Sequence, residues 1–305
     1  MKKICKIFRL LIIILLILIS ITTFKLLSGY EIYHNVKYGT KDINVMDIYL
    51  PDRALSNKEN GCVLFIHGGS WSGGDKKEED IRCRLIASHG YVAASINYTL
   101  RNEKNVNEYS VFNVLDEIEL SLLKVKDFSL EKGINITKFA TSGYSAGAHL
   151  SMLYSFSRID TSPLDIVFTS NMAGPSDISS DVWGEELTNR IAFLLTGKDI
   201  TNKNITSEEV DMILSSISPV SYINENTPPS IIIHGGKDTT VPPENADSLI
   251  SKFTEYSIPY DYIYLEDSDH MLIQNPIKHL NYMKTLLNYC KKYFNYWNTY
   301  LQKIK

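Results

Sequence analysis

The sequence predicts an α/β fold in which helices flank a mostly parallel central sheet. From about residue 62 to the end, short apolar runs of strand length alternate with longer segments in which apolar residues recur every three or four positions. Several of the short runs are continuously apolar, which is typical of strands covered on both faces. Strands that alternate with helices in this way form right-handed βαβ units, and such units build a parallel sheet.

The predicted elements follow one another in a regular order. Alternating apolar side chains at 36–38 and 43–50 predict two leading strands, the second of which is closed by Pro51. No linker divides the chain after this point, so we assign residues 30–305 to one domain, a length that allows a sizeable core. The later elements are a strand at 62–69, a helix around 81–86, a strand at 91–98, a helix at 111–125, a strand around 139, and strands at 165–172, 230–236 and 260–266.

One segment interrupts this alternation of strands and helices. Residues 174–229 are polar, favour helix, and are longer than a single crossover between parallel strands requires. We therefore predict that they form a small helical cap insertion above the carboxyl edge of the sheet.

The chain opens with basic residues followed by an apolar segment. Five basic residues and no acidic residue fall within the first 25 positions, and residues 10–24 form a nearly unbroken apolar run. A helix of that length spans about 22 Å, which suits the apolar part of a secretion signal. No small-residue cleavage site follows, however, and an extension to residues 7–27 is long enough to span a bilayer. We expect residues 1–29 to be an uncleaved anchor in the cell membrane, with the domain outside, and a cleaved signal of a secreted protein is the alternative.

The charge of the remaining chain argues against a nucleic-acid partner. After residue 25 the sequence contains 26 basic and 35 acidic residues, a net charge of −9. An acidic surface of this kind repels phosphate backbones.

The cysteines of the domain do not indicate a disulfide framework or a metal site. Cys62, Cys83 and Cys290 are odd in number and widely spaced, so we expect each to be a buried single thiol.

A serine lies between two glycines where a predicted strand turns into a predicted helix. The stretch is Gly143-Tyr144-Ser145-Ala146-Gly147. Glycine inside an element costs about 1 kcal/mol relative to alanine, so two glycines flanking one serine indicate a backbone too crowded for a Cβ atom. The pattern G-x-S-x-G is typical of a nucleophile elbow, which holds a serine hydroxyl out on a strained turn. For these five residues alone, an ordinary glycine-containing turn is the alternative.

Chemically active residues also follow the ends of other predicted strands. One strand ends in HGGSW (67–71), a later one in HGGKD (234–238), and the last in DSDH (267–270). Ligand sites of parallel sheets lie at the carboxyl ends of the strands, so these segments are expected to meet. A nucleophile, an acid and a base thus occur in the chain order Ser145, Asp238 and His270.

These three residue types together suit nucleophilic catalysis. A serine hydroxyl is a poor nucleophile until a base takes its proton, and histidine titrates near neutrality. A carboxylate behind the imidazole fixes the tautomer and stabilises the imidazolium that forms. The developing oxyanion needs N–H donors, which Ala146 at a helix N-terminus and the HGG loop supply. Chemistry of this kind needs no metal and no cofactor.

Three aspartates compete for the role of the acid. Asp238 could instead cap the helix that begins near Pro242, a common use of aspartate. Asp269 adjoins His270, so its side chain should diverge from the imidazole. Asp267 lies at the end of the last predicted strand, just before His270, where it is expected to be exposed. Asp238 follows a neighbouring strand, and the two glycines before it let its loop turn tightly. We therefore predict that Asp238 orients the base.

Six other histidines compete with His270 for the role of the base. His149 is the most serious competitor, because it lies one helical turn after Ser145, where we expect it to be buried beneath the elbow. The others are expected to be surface, core or strand-end residues. Trp71 is expected to pack beside the HGG loop.

Six stretches of the chain match the motifs of one enzyme family. They are VMDIYLP, FIHGGSW, GYSAGAHL, GPSD, SPVSYI and IIIHGGKDTTVP, and together they extend over roughly residues 33–290. The sequence resembles the α/β-hydrolases of the esterase/lipase group and is especially similar to the BD-FAE-like carboxylesterases, whose catalytic domain also resembles kynurenine formamidase. The resemblance implies an α/β-hydrolase fold. It also implies these roles: nucleophile Ser145, acid Asp238, base His270, and oxyanion donors Gly69, Ser70 and Ala146.

Two positions depart from the family pattern. Thr99 stands where relatives usually carry an arginine in a Y-R-L motif, which puts a structural contact in question. The base lies in DSDHML (267–272) rather than in the commoner glycine-histidine-glycine setting.

We therefore expect a serine carboxylesterase that cleaves small-molecule esters of short acyl groups, such as acetyl groups on carbohydrate, through an acyl-enzyme. The alternatives on the same triad are an amidase, a peptidase or an arylformamidase. A different class of protein, a non-catalytic hydrolase homologue that binds a ligand or partner, would have no need of a complete triad and an oxyanion loop.

Overall fold

The computed structural model describes residues 29–52, 60–106 and 108–294 of the chain. The membrane anchor predicted at residues 1–29 lies outside this part of the chain, apart from Gly29. Within the described ranges, no helix is both long and apolar enough to cross a membrane.

The described residues form one sheet of eight strands. In chain order the strands are β1 (Tyr30–Lys37), β2 (Val45–Pro51), β3 (Asn60–Ile66), β4 (Val92–Ile96), β5 (Ile136–Tyr144), β6 (Asp165–Met172), β7 (Ser230–Gly235) and β8 (Tyr260–Leu265). Their spatial order is β1-β2-β4-β3-β5-β6-β7-β8. The β1–β2 and β2–β4 pairs are antiparallel, and the other neighbours are parallel. The predicted fold class, a mostly parallel sheet flanked by helices, is confirmed.

Eight α-helices are found in the same ranges. They are α1 (Asp80–Ser88), α2 (Val111–Glu131), α3 (Ala146–Ser157), α4 (Ser180–Trp183), α5 (Glu185–Thr196), α6 (Ser207–Ile217), α7 (Glu244–Glu255) and α8 (Pro276–Tyr289). Buried side chains of α1 and α8 pack in one cluster against the sheet. Buried side chains of α2, α3 and α7 pack against its other face. The sheet is therefore covered on both sides, as its continuously apolar strands require.

Strand β3 shows how one run of apolar residues supplies both layers. Cys62, Leu64 and Ile66 belong to the cluster around α2 and α3. Val63 and Phe65, which alternate with them, belong to the cluster around α1 and α8. All five side chains are fully buried, so the period of two in a strand divides the run between two cores.

The predicted cap insertion contains α4, α5 and α6, between β6 and β7. Helix α6 begins with a capping box in which Thr206 and Glu209 each accept the other's backbone N–H. Helix α5 ends at Gly197, which adopts the left-handed conformation (φ 72°) that closes many helices. Local sequence signals therefore fix the ends of the cap helices.

The domain cysteines are free and buried, as predicted. Cys62, Cys83 and Cys290 are all inaccessible to solvent. Burial raises the pKa of each thiol, which suits small apolar side chains rather than reactive nucleophiles.

Candidate active site

Ser145 lies on a strained turn between β5 and α3. Its backbone has φ 54° and ψ −122°, a conformation that side-chain-bearing residues rarely adopt. The turn is held because the Ser145 N–H donates to the carbonyl oxygen of Met172 at 2.8 Å. The residue predicted as nucleophile therefore has the backbone geometry of an elbow.

The two glycines around Ser145 are required by close backbone contacts. A Cβ atom on Gly143 would lie 2.3 Å from the carbonyl carbon of Gly147. A Cβ atom on Gly147 would lie 2.0 Å from the carbonyl oxygen of Ile66 on the neighbouring strand β3. The predicted crowding is confirmed, and its cause is the packing of the first turn of α3 against β5 and β3.

The three predicted triad residues form one hydrogen-bonded chain. Ser145 Oγ lies 2.9 Å from His270 Nε2, and His270 Nδ1 lies 2.7 Å from Asp238 Oδ2. An ionised carboxylate accepts only, so Nδ1 carries the proton and Nε2 is free to accept the serine proton. The Asp238 side chain is fully buried and that of His270 is 14% exposed. His270 thus connects a buried carboxylate to the Ser145 hydroxyl.

The environment of Asp238 keeps its carboxylate ionised. Oδ1 accepts the backbone N–H groups of Thr240 and Val241, both at 2.9 Å. His234 Nε2 lies 3.0 Å from the Val241 carbonyl oxygen and 3.5 Å from Asp238 Oδ2, so the carbonyl is its main acceptor. Burial alone would raise the pKa of Asp238, but the contacts from His234, His270 and the Val241 amide hold that pKa well below its ordinary value.

The other two candidate aspartates bind elsewhere. Asp267 is exposed and pairs with Lys237 at 2.7 Å. Asp269 Oδ1 accepts the backbone N–H of Met271. Of the three aspartates, it is therefore Asp238 that is hydrogen-bonded to the imidazole of His270.

Gly235 and Gly236 bring the loop of Asp238 against the loop of His270. A Cβ atom on Gly235 would lie 2.4 Å from the carbonyl oxygen of Ser268, and one on Gly236 would lie 2.3 Å from the Tyr264 hydroxyl. The loop turns tightly, as predicted, because the Asp238 N–H donates to the carbonyl oxygen of Gly235 at 3.3 Å. Neither glycine has a positive φ, so glycine is required here because the two loops approach too closely for side chains.

Tyr144 supports the histidine loop, a role that the sequence analysis missed. Its hydroxyl donates to the carbonyl oxygen of His270 at 2.8 Å, and the two rings lie 5.1 Å apart between centroids. Burial, and next the charge of Asp238, raise the pKa of Tyr144 to about 12, so the hydroxyl remains a donor at neutral pH. The signal available in the sequence was an aromatic residue directly before the serine.

The HGG loop lies beside the serine. A Cβ atom on Gly68 would lie 2.9 Å from the carbonyl oxygen of Tyr144 and 3.4 Å from the Cβ of Ser145. The next three residues have positive φ angles: 109° at Gly69, 51° at Ser70 and 59° at Trp71. These residues form a tight turn, in which the N–H groups of Ser72 and Gly73 both donate to the Gly69 carbonyl oxygen, at 3.0 and 2.9 Å.

Ala146 directly follows Ser145 and opens a helix. It is the first residue of α3, and the N–H groups of a first helical turn have no intrahelical acceptor. The positive end of the helix dipole also lies there, which favours negative charge.

His149 has structural partners and none of the contacts of a base. Its Nδ1 accepts the indole N–H of Trp71 at 3.2 Å, and its Nε2 lies 2.8 Å from the carbonyl oxygen of Ile217 at the end of α6. Burial lowers the pKa of His149 to about 4, so the ring is neutral. This histidine links the HGG loop to the cap. Trp71 packs beside that loop, as predicted.

Thr99, where the sequence departs from the family pattern, is hydrogen-bonded to a nearly buried carboxylate. The Thr99 N–H and hydroxyl both donate to the Glu117 carboxylate, at 2.7 and 2.5 Å. Lys41 Nζ lies 2.9 Å from Oε1 of the same carboxylate and supplies its cation.

Arg101 braces the HGG loop against the cap. Its backbone N–H donates to the carbonyl oxygen of Trp71 at 2.8 Å. Its guanidinium donates to the carbonyl oxygens of Phe193 and Leu194 near the end of α5, at 3.0 and 2.8 Å. This residue lies in none of the motifs identified in the sequence.

Within residues 29–52, 60–106 and 108–294, no group of three or more histidine, cysteine, aspartate and glutamate side chains is arranged to hold a metal ion.

The chain is similar to several known esterases. A model of the BD-FAE family matches residues 46–253. Esterase LipC of Mycobacterium tuberculosis is 23% identical over 235 residues, which cover 73% of this chain and 55% of LipC, so the chain spans about half the length of this relative.

Solved structures of esterases have the same fold. A truncated carbohydrate esterase from gut microbiota superposes with a TM-score of 0.71 at 18% identity, covering 88% of this chain and 98% of that one. An inhibited Esterase B from Lactobacillus rhamnosis superposes with a TM-score of 0.67 at 16% identity, covering 86% of each chain. These similarities show that the fold is the α/β-hydrolase fold of these esterases.

Proposed function

The chain belongs to the BD-FAE family, and on that premise we propose that it is a serine carboxylesterase. The proposal is supported above all by the continuous chain from Ser145 Oγ through His270 to Asp238, with distances of 2.9 and 2.7 Å. A chain of this geometry activates a serine hydroxyl, which has little other chemical use on a strained turn.

The first step is attack on the ester carbonyl carbon by Ser145 Oγ. His270 Nε2 takes the hydroxyl proton as the bond between Oγ and carbon forms. Asp238 holds the tautomer in which Nδ1 carries a proton, and its charge stabilises the imidazolium. The depressed pKa of Asp238 keeps this carboxylate charged wherever the enzyme works near neutral pH.

The negative charge that develops on the carbonyl oxygen is bound by backbone N–H groups. We assign the donors to Gly69 and Ser70 on the HGG loop and to Ala146 at the start of α3. The positive φ angles of the loop and the helix N-terminus both support this assignment. Donors of this kind are fixed before the reaction begins and need no reorganisation.

The tetrahedral intermediate then breaks down to an acyl-enzyme. The bond between the carbonyl carbon and the alcohol oxygen breaks, and His270 Nε2 returns its proton to the leaving alcohol. A water molecule repeats the attack on the acyl-serine, with His270 again as the base, and releases the carboxylic acid and the free serine.

Esters of short acyl groups are the substrate class that we propose, with acetylated carbohydrate as the leading example. The carbohydrate esterase among the structural relatives supports this class. The hydrogen bond between His149, one helical turn after Ser145, and Ile217 at the end of α6 supports a role of the cap in selecting the acyl group.

We also propose that the enzyme is tethered to the cell membrane by its N-terminal apolar segment and faces outward. The basic cluster before the apolar run and the absence of a small-residue cleavage site after it support this location.

The function is tested by labelling and by a substrate panel on the full chain. A fluorophosphonate probe should label the wild-type protein and leave Ser145→Ala unlabelled, because only an activated serine reacts. Absence of labelling in the folded wild-type protein would instead indicate a binding protein. Acyl p-nitrophenyl esters, acetylated sugars and N-formylkynurenine then rank the substrate classes. If N-formylkynurenine is turned over fastest, the proposed function is wrong and the protein is an arylformamidase.

A further inference from the structure

An apolar groove runs between α1 and α8, away from the triad. Ile81 of α1 is 79% exposed and Ile277 of α8 is 74% exposed, unusually high values for large aliphatic side chains. The groove between the two helices is lined mainly by apolar residues, among them Tyr30, Ile81, Leu85, Leu280, Met283 and Leu287. Contiguous apolar surface of this kind on a folded domain marks an interaction site.

Three apolar residues of α8 lie on one side of the helix. Ile277, Leu280 and Leu287 share this side with Lys284, and steps of three, four and three separate the four positions. Ile277 and Leu280 are exposed and Leu287 is half-buried. Ile273, before the helix, is also exposed and extends this apolar strip toward His270. We call the whole surface, from Ile273 along α8 to the groove, the α1/α8 face.

The charge of this face differs from that of the rest of the molecule. Residues 276–294 contain four lysines and no acidic residue, whereas the chain after residue 25 has a net charge of −9. The four are Lys278, Lys284, Lys291 and Lys292. Apolar residues bordered by lysines are typical of surfaces that contact anionic membranes.

The N-terminal apolar run is tied to the same place. Tyr30 lines the groove, and Phe24, the last residue of the run, precedes it by six positions. Six residues reach at most about 20 Å when fully extended. A membrane into which the apolar run inserts must therefore lie close to the α1/α8 face.

We propose that the α1/α8 face rests on an anionic lipid bilayer, the same bilayer into which the N-terminal segment inserts. This inference rests on the proposed membrane tether. A second copy of the chain is a poorer occupant, because a two-fold contact would bring the lysines of the two α8 helices together. The apolar run itself is also a poorer occupant, since an open groove would leave much of its surface in water.

The orientation has a consequence for the substrate. Met271 directly follows His270, and Ile273, where the α1/α8 face begins, is three positions from it in the chain. Tyr144, which supports the His270 loop, also contacts Met271, with its hydroxyl 3.6 Å from Sδ. The triad therefore lies beside the bilayer surface, where amphiphilic esters concentrate.

The test uses the full chain reconstituted into vesicles of phosphatidylcholine and phosphatidylserine. Replacing Cys5 by serine leaves only the buried cysteines 62, 83 and 290, so a new surface cysteine can be labelled with the fluorophore NBD. The probe is placed by Ile277→Cys on the α1/α8 face. The matched control is Met212→Cys on α6, where the side chain is 71% exposed and has acidic neighbours.

Nitroxide-bearing lipids should quench the probe at position 277 several-fold more than the probe at position 212. Adding Lys284→Glu and Lys292→Glu should reduce that quenching several-fold with phosphatidylserine and much less with phosphatidylcholine alone. Equal quenching at both positions, in a chain that floats with the vesicles, would overturn the proposed contact between the α1/α8 face and the bilayer. It would leave the proposed N-terminal tether standing. If the chain does not float with the vesicles, both the bilayer contact and the tether are overturned. Neither of these two results bears on the proposal of ester hydrolysis.

One further outcome identifies a different occupant. Blue-shifted emission at position 277 that nitroxide lipids do not quench would mean that the groove is covered by the chain's own apolar segment or by a second copy. That result would also overturn the proposal.

Discussion

At the residue scale, the two carboxylate oxygens of Asp238 perform different tasks. Oδ1 caps the turn before α7 by accepting the N–H groups of Thr240 and Val241, and Oδ2 accepts the Nδ1–H of His270. The alternative role, capping of the helix near Pro242, is not observed, because the N-cap of α7 is Pro243 and no side chain caps that helix. The loop amides fix the carboxylate, and the carboxylate in turn fixes the imidazole.

Asp238→Asn should therefore lower kcat by about 10⁴-fold, because an amide that faces Nδ1 favours the wrong imidazole tautomer. Asp267→Asn and Asp269→Asn should each have a far smaller effect, since these side chains bind Lys237 and a backbone amide instead. Steady-state kinetics on the three folded variants measure this. A larger loss at position 267 or 269 than at 238 would show that the acid has been misassigned.

His149 should make the stability of the protein depend on pH. Burial lowers its pKa from 6.5 to about 4 in the folded state, so the unfolded chain binds a proton first as the pH falls. Stability is therefore unaffected above pH 6.5 and is lost through the window down to pH 4. One pKa unit corresponds to about 1.4 kcal/mol, so the loss reaches about 3 kcal/mol.

Denaturant unfolding of the wild-type protein and His149→Gln across this pH range measures the effect. Glutamine does not titrate, and its amide can still donate and accept, so the difference between the two unfolding free energies should change with pH. A constant difference would mean that His149 is not the titrating group.

At the scale of elements, close backbone packing determines the conformation of the junction between β5 and α3. The first turn of α3 lies against the ends of β5 and β3, with no room for a Cβ atom on Gly143 or Gly147. The turn at Ser145 is strained as a result, and the hydrogen bond to Met172 on β6 holds it.

Gly147→Ala should destabilise the protein by about 3 kcal/mol, since the new methyl group would collide with the carbonyl oxygen of Ile66 at 2.0 Å. Gly73→Ala is the matched control in the HGG loop. Its Cβ atom would have no neighbour closer than 3.7 Å, and its φ is not positive. Thermal unfolding compares the two variants. Equal melting temperatures would contradict the packing account of the elbow.

The elements themselves could be predicted from the sequence, but several supporting contacts could not. Continuous apolar runs and helical spacing located the parallel strands because burial on two faces removes polar residues from a strand. Tyr144 and His270 are 126 positions apart, and Arg101 and Phe193 are 92 apart. Such pairs have no local pattern, because tertiary packing alone brings them together.

At the scale of the whole molecule, the order of the strands assembles the site. Ser145 follows β5, Asp238 follows β7 and His270 follows β8. The three strands are parallel, β7 and β8 are neighbours, and β6 separates β5 from β7. Their carboxyl ends lie at one edge, which is why chain order and strand ends predicted the triad. The HGG loop after β3 completes the site from the other side of β5.

The proposed mechanism depends on Ser145 as the nucleophile, and the Ser145→Ala variant tests that role most directly. The variant and the wild-type protein are compared by kcat for p-nitrophenyl acetate, with thermal unfolding as the check on folding. We expect a loss of at least about 10³-fold with an unchanged melting temperature, because the hydroxyl bonds only the imidazole. Wild-type turnover by a folded Ser145→Ala protein would contradict the proposed mechanism.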